Sequence, residues 1–228
     1  MDHNPILCAI DTTEMSRAHA LTAAVSSAVG GVKLGLEFFV AHGPEGVRAV
    51  AGSQAKLFLD LKLHDIPNTV AGAVRAALTL DPLFITLHSA GSTAMMRAAA
   101  EARGSRRTKL LGVTVLTSLD DSDLAATGQT GPVEAQVRRL ALLAKSAGLD
   151  GVVCSPREVA MLRLACGKDF LLVVPGIRPA GAAVGDQKRV QTPRAAIEAG
   201  ADYLVIGRPI TEAPDPAAAT RAILAELP

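Results

Sequence analysis

Gly151-Val152-Val153-Cys154, then Ser155-Pro156-Arg157-Glu158, then, after an Ala- and Leu-rich stretch, Leu171-Leu172-Val173-Val174: this passage decides the fold. Four residues without a charge, bounded by helix-start chemistry, read as a short strand covered on both faces. The serine is an N-cap, the proline suits the first helical position, and the glutamate three residues after the cap completes a capping box. The second apolar run is another buried strand, so the unit is strand–helix–strand with a parallel pair.

The same unit recurs along the chain. Candidate strands are Ile6–Asp11, Gly31–Leu36, Lys56–Lys62, Leu83–His88, Lys109–Thr117, Gly151–Cys154, Leu171–Val174 and Tyr203–Gly207. Thr192-Pro193 and Asp215-Pro216 open helices as Ser155-Pro156 does, and Gly148 and Gly200 stand where a helix needs a left-handed exit. Eight such units in 228 residues match an α/β (β/α)8 TIM barrel, for which about 250 residues is usual. A doubly wound sheet is the alternative. It would more often show fewer strands and a glycine-rich turn after the first, where this chain has Ile10-Asp11-Thr12-Thr13. No low-complexity segment or composition break divides the chain, so one barrel domain over residues 1–228 is expected.

Composition narrows the function classes. With 49% hydrophobic and 20% charged residues the chain can bury a sizeable core. A net charge of +1, no Trp, one Tyr and five Phe argue against nucleic acid as a partner, which needs a basic footprint or stacking platforms. Cys8, Cys154 and Cys166 lack metal-ligand spacing and suggest a reducing, cytosolic setting. Cys8 and Cys154 fall in apolar runs and read as small buried hydrophobes. The apolar run ending at Asp11 is too short for a signal peptide, and no stretch reaches membrane-spanning length. A cytoplasmic protein without a membrane partner is expected.

The chemistry concentrates in Lys56-Leu57-Phe58-Leu59-Asp60-Leu61-Lys62-Leu63-His64-Asp65. Period-two alternation places the four leucines on one face and Phe58, Asp60 and Lys62 on the other. Asp60 and Lys62 then project together from the end of a barrel strand where active sites are built. A buried ion pair closing the barrel mouth would be expensive to desolvate and adds little stability, so a catalytic pair is the better reading. Asp11 ends the first strand and Lys33 interrupts the second, giving four charges of alternating sign around one mouth.

Two further segments suit an anion. The connection from Pro175 to Thr192 exceeds the length usual for an unstructured loop, follows the seventh strand, and carries Arg178, Gln187, Lys188 and Arg189. Residues 179–191 read as a lid. The eighth strand ends in Ile206-Gly207-Arg208-Pro209, where barrels commonly cradle a phosphate and Arg208 could grip it in bidentate fashion. His88 could line the site or serve as a hydrogen-bonded structural histidine. His3, His19 and His42 read as surface residues, Met95-Met96 as packing, and the Arg103–Lys109 cluster as a solvated turn or a peripheral anion site.

Asp60-Leu61-Lys62-Leu63-His64-Asp65-Ile66-Pro67-Asn68-Thr69 resembles the signature of bacterial orotidine 5′-phosphate decarboxylases. Ala9-Ile10-Asp11, Val32-Lys33-Leu34-Gly35, Val115-Leu116-Thr117-Ser118, Pro175-Gly176-Ile177-Arg178-Pro179, Gly185-Asp186-Gln187-Lys188-Arg189 and Gly207-Arg208-Pro209-Ile210 extend the resemblance over the whole chain. It implies decarboxylation of orotidine 5′-monophosphate to UMP, the last step of de novo pyrimidine synthesis. Lys62 would protonate C6, Asp60 would face the substrate carboxylate, and Lys33 and Asp11 would hold the ribose hydroxyls and the charge network. Asp65, Ile66 and Thr69 would come from the partner subunit of a homodimer. Thr117 and Gln187 would contact the pyrimidine or close over it, and Arg178, Gly207 and Arg208 would grip the phosphate.

No cofactor and no metal are expected, since the sequence has neither a dinucleotide fingerprint nor a conspicuous ligand cluster. Three rivals stay open: a magnesium-dependent sugar-phosphate decarboxylase or synthase sharing Asp-x-Lys-x-x-Asp, a barrel aldolase with a Schiff base on Lys62, and a non-catalytic nucleotide-binding barrel. None of the three accounts for the lid and the His64–Thr69 continuation together.

Overall fold

The computed structural model describes residues 4–52, 55–179 and 191–228. Eight parallel strands, β1 (Ile6–Ile10), β2 (Gly31–Gly35), β3 (Leu57–Leu63), β4 (Phe84–His88), β5 (Lys109–Val113), β6 (Gly151–Val153), β7 (Leu171–Val174) and β8 (Tyr203–Ile206), form a closed barrel in sequence order. The first and last close it through Ile6↔Leu204, Leu7↔Val205 and Cys8↔Ile206. Helices alternate with the strands, so the fold is the (β/α)8 TIM barrel expected from the sequence.

The pleat sorts side chains into two apolar layers. Leu57, Leu59 and Leu61 belong to the large outer core shared with helix residues such as Val70, Val74, Met95 and Met96. Each fully buried side chain of this kind contributes about 1.5–3 kcal/mol. Inward-facing Leu7, Ala9, Phe58, Phe84, Leu111, Val173 and Val205 fill the barrel itself. Phe84 meets Phe58 and Tyr203 edge-on, with ring centroids 5.5 and 5.0 Å apart. This plug floors the space in which the charged residues stand.

Most local expectations hold. The side chains of Thr192 and Asp215 accept from Ala195 N and Ala218 N at the predicted helix starts, and Ser155 with Glu158 forms a capping box. Gly148 and Gly200 have φ of 88° and 109°. All three cysteines are buried, and burial pushes the Cys8 thiol up to about 12.

Three expectations need correction. The fifth strand ends at Val113 rather than Thr117, because its ladder with the three-residue β6 runs out at Val113↔Val153. Beyond that point the Thr114 amide and hydroxyl both donate to Val153 O, at 3.3 and 2.9 Å. Several other strand ends shift by one residue. The regular alternation of the third strand stops at Lys62, whose φ is +50°, and the ladder to β4 changes register between Leu59 and Leu63. Finally, Arg103 and Lys109 are not simply solvated. Both hold Asp150, Arg103 through contacts of 3.0 and 2.9 Å and Lys109 at 3.0 Å.

Among the described residues no helix is long and apolar enough to cross a membrane.

Candidate active site

The charged side chains converge at the C-terminal end of the barrel. Lys33 Nζ lies 3.1 Å from Asp11 Oδ1 and 3.6 Å from Asp60 Oδ2, and Lys62 Nζ lies 2.8 Å from Asp60 Oδ2. The four residues form a row of alternating sign, Asp11–Lys33–Asp60–Lys62, running across the ends of three neighbouring strands. Burial is graded along it. The side chains of Lys33 and Asp60 are 11% and 12% exposed, that of Lys62 29%, and that of Asp11 59%. The inner pair is therefore fixed, while Lys62 keeps access to the space above.

Burial alone would lower the pKa of Lys33, but Asp60 and then Asp11 outweigh it and hold the ammonium above its ordinary range. Burial would likewise raise Asp60. The charges of Lys33 and Lys62 and hydrogen bonds from Lys62 and Thr86 prevail, so its carboxyl sits below the usual range. Both groups are charged at neutral pH, and each is the reason the other can be.

Glycine leaves the ammonium room at this point. A Cβ on Gly35 would stand 3.1 Å from Lys33 Nζ, close enough that the ammonium would have to shift by a few tenths of an ångström.

Above the inner plug lies a cavity of about 160 Å³, lined by Lys33, Asp60, Lys62, Thr117, Cys154 and Pro175 among apolar neighbours. It offers mostly apolar walls and, at one edge, the Lys33 and Lys62 ammonium groups with the Asp60 carboxylate between them. A larger hollow of about 690 Å³ lies at the opposite pole, between Arg48, Lys56, Asp81 and Arg107. It contains none of the four charges of the row, so chemistry points to the smaller space.

The remaining predicted residues divide into three groups. Arg178 follows β7 and Gly207 follows β8, both at the same end of the barrel. A Cβ on Gly207 would stand 3.9 Å from Asp11 Oδ2, which places the Gly207–Arg208 turn beside the charge row. Arg178 N donates to Gln191 O at 3.0 Å, and a bridge between Ile177 and Gln191 ties the two ends of the long connection together. Asp65, Ile66 and Thr69 are exposed and do not line the cavity of their own chain; Asp65 Oδ1 accepts from Ile66 N at 2.6 Å. Gln187, with Gly185, Asp186, Lys188 and Arg189, lies outside the described residues, as does His3.

His88 stands with its ring centroid 5.3 Å from that of His64. Burial, His64 and Lys62 together lower its pKa against the opposing pull of Asp60, so it is a neutral group at the edge of the site. His42 Nε2 donates to the Thr13 carbonyl, 2.6 Å away.

Two contributors escaped sequence reading. Gly35 was visible as part of a motif but carried no role until the Lys33 ammonium was placed. Thr86 donates to Asp60 Oδ1 at 2.8 Å and accepts from Lys62 N at 2.9 Å. Its signal was a lone polar residue on the inward face of an apolar strand, between Phe84 and His88.

Among the described residues no group of three or more His, Cys, Asp or Glu is disposed to hold a metal ion.

Comparison with known proteins agrees with this geometry. The model of the family described as "Orotidine 5'-phosphate decarboxylase / HUMPS family" matches residues 4–223. The orotidine 5′-phosphate decarboxylase of Rhodospirillum rubrum is 55% identical over 100% of this chain and 95% of its own. That of Thermobifida fusca is 54% identical over 98% of this chain and 95% of its own. The crystal structure of the enzyme of that name from Lactobacillus acidophilus superposes with a TM-score of 0.86, at 38% identity and 98% coverage of both chains.

Proposed function

The chain belongs to the orotidine 5′-phosphate decarboxylase / HUMPS family, and from that premise we propose that its site makes UMP from orotidine 5′-monophosphate with Lys62 delivering the proton to C6. The coarser reading is firm: the chain is a carboxy-lyase of pyrimidine biosynthesis, on full-length relatives of that name at 55% and 54% identity. The observation that carries the finer reading is the Lys62 ammonium, held 2.8 Å from Asp60 at the edge of a cavity whose walls are mostly apolar.

The bond from C6 to the carboxylate breaks and leaves its electron pair on C6, in an orbital the ring cannot delocalise. Something must stabilise that charge as it forms, and a preorganised ammonium in a desolvated site is an effective means. Lys62 then passes one proton from Nζ to C6, carbon dioxide departs, and the neutral amine regains a proton from solvent.

Asp60 would face the substrate carboxylate. Like charges about 4 Å apart repel by only about 4 kcal/mol at an effective dielectric near 20, whereas enzymes lower barriers by about 8–23 kcal/mol. Repulsion is therefore a minor effect beside stabilisation of the carbanion by Lys62. Asp60 has a second task in this account: with Lys33 and Asp11 it holds the Lys62 head in place before substrate arrives.

Binding is assigned to the surrounding groups. Lys33 and Asp11 take the ribose hydroxyls, Thr117 and Gln187 the pyrimidine, and Arg178, Gly207 and Arg208 the phosphate. Phosphate contacts far from C6 can be used to close residues 179–191 over the ligand. Asp65, Ile66 and Thr69 are proposed to enter the site of a partner subunit. Their exposure supports this, Ile66 at 67%. The protein is read as a cytoplasmic homodimer of single-domain chains spanning residues 1–228. No cofactor and no nucleic-acid or membrane partner is assigned.

The test is ultraviolet absorbance of orotidine 5′-monophosphate mixed with the purified protein, with and without EDTA. Conversion to UMP that ignores EDTA is expected. Conversion abolished by EDTA and restored by magnesium would favour the sugar-phosphate type of site.

A further inference from the structure

Thr86 touches both Asp60 and Lys62 through one atom. Its hydroxyl donates to Asp60 Oδ1 at 2.8 Å and accepts the backbone N–H of Lys62 at 2.9 Å. The residue is 0% exposed, so water cannot replace either bond. Each partner uses a separate feature of the oxygen, the proton for the carboxylate and a lone pair for the amide.

The second bond falls where the backbone needs support. Lys62 has φ of +50°, a region that residues with a Cβ occupy only when their surroundings hold them there. The β3–β4 ladder changes register between Leu59 and Leu63, and within that interval the Lys62 amide turns to the Thr86 side chain. A regular strand would keep Lys62 pleated two residues above Asp60; the irregularity re-aims it, as bulges beside active sites commonly do.

On the reading of Asp60 and Lys62 as the catalytic pair, we propose that Thr86 is a positioning residue whose single hydroxyl locks the Asp60 carboxylate and the irregular Lys62 backbone into one geometry. Thr86 does not reach the substrate in this account. It fixes where the ammonium stands and keeps Asp60 oriented to hold it.

The inference has an electrostatic consequence. The charged and titratable groups facing Asp60 are Lys62 on its own strand, Lys33 on β2 with Asp11 of β1 behind it, and His88 on β4; Cys154, after β6, lies across the cavity. Thr86 is the uncharged donor in this set. Removing its proton donor lifts one of the influences that hold the Asp60 carboxyl low, so Asp60 would protonate at higher pH. The acid limb of the kcat profile should move upward with it.

The experiment compares Thr86→Val, which keeps the shape without the hydroxyl, with Thr86→Ser, which keeps the hydroxyl. For Thr86→Val, kcat should fall roughly 10- to 100-fold, the scale of a small misplacement of a reacting group, with KM within a few-fold of the parent. The acid limb of kcat should shift to higher pH. Thr86→Ser should restore both. A role in packing alone predicts a lower Tm with kcat per folded site and the acid limb unmoved, and that result would overturn the inference. So would a serine variant as impaired as the valine one. If the valine protein does not fold, Thr86→Cys retains the volume with only a weak donor; parental kcat and acid limb in folded Thr86→Cys would equally overturn it. Lys62→Ala, measured alongside, separates the two levels. An active Lys62→Ala protein would fault the assignment of the pair, whereas an unaffected Thr86→Val beside an inactive Lys62→Ala would fault Thr86 alone.

Discussion

Asp60 lies between two ammonium groups, 3.6 Å from Lys33 and 2.8 Å from Lys62, and its lowered pKa has a consequence for stability. A depressed carboxyl contributes stability that is complete above its unfolded pKa of about 3.9 and is lost as pH falls through the folded value. Asp60→Asn should therefore lower Tm at pH 7, because two partly buried ammonium groups lose their shared anion. The gap to the parent should narrow on acidification below about pH 4; a gap independent of pH, measured by thermal scans, would contradict the ion-pair account. Arg208→Ala should weaken UMP binding, measured by titration calorimetry, by about tenfold or more, the loss of a charge-assisted contact of about 1.5–3 kcal/mol. Unchanged affinity would remove Arg208 from the phosphate site. The four charges were legible in the sequence because each interrupts or ends an apolar strand, where a charge needs a reason. Thr86 was not, since threonine is an ordinary strand former and its role depends on which residue stands opposite.

The elements were legible in their order and not in their ends. Apolar runs bounded by caps located all eight strands, because buried parallel strands admit little else. Their limits depend on the neighbour: β5 stops at Val113 because β6 offers no partner beyond Val153. The irregularity at Lys62 is equally a property of two strands together and leaves no mark in Leu61-Lys62-Leu63 alone. At the opposite pole, elements are joined by side-chain anchors. Arg163 donates to the carbonyls of Gly167, Phe170 and Gly200 and pairs with Asp202 at 2.6 Å, tying the helix Val159–Cys166 to the entries of β7 and β8. Arg163→Ala should cost about 2–3 kcal/mol, since it strands several carbonyls and a carboxylate. Chemical denaturation should show that loss while kcat at 25 °C stays at the parental value. A large fall in kcat in the folded variant would mean that this pole communicates with the site.

At the scale of the molecule, the barrel gathers residues from the ends of separate strands into one mouth, and a proposed second copy completes it. Asp65, Ile66 and Thr69 are exposed in a chain whose cavity they do not line, an arrangement that makes sense if they serve a neighbour. Lys62→Ala and Asp65→Asn should each be nearly inactive alone. Mixed and allowed to exchange subunits, half of the dimers become hybrids with one intact site, and about a quarter of parental activity should return. No recovery in a mixture shown to exchange would place Asp65 in its own chain's site. The family motifs made the partner's contribution an expectation from sequence, and the cavity lining of the chain itself lacks these residues.

The central claim is that Lys62 supplies the proton, and its direct test is turnover of orotidine 5′-monophosphate by folded Lys62→Ala protein with UMP affinity measured on the same sample. The account predicts a loss in kcat of about 10³-fold or more while UMP still binds. Near-parental turnover would contradict it and return the proton to another group.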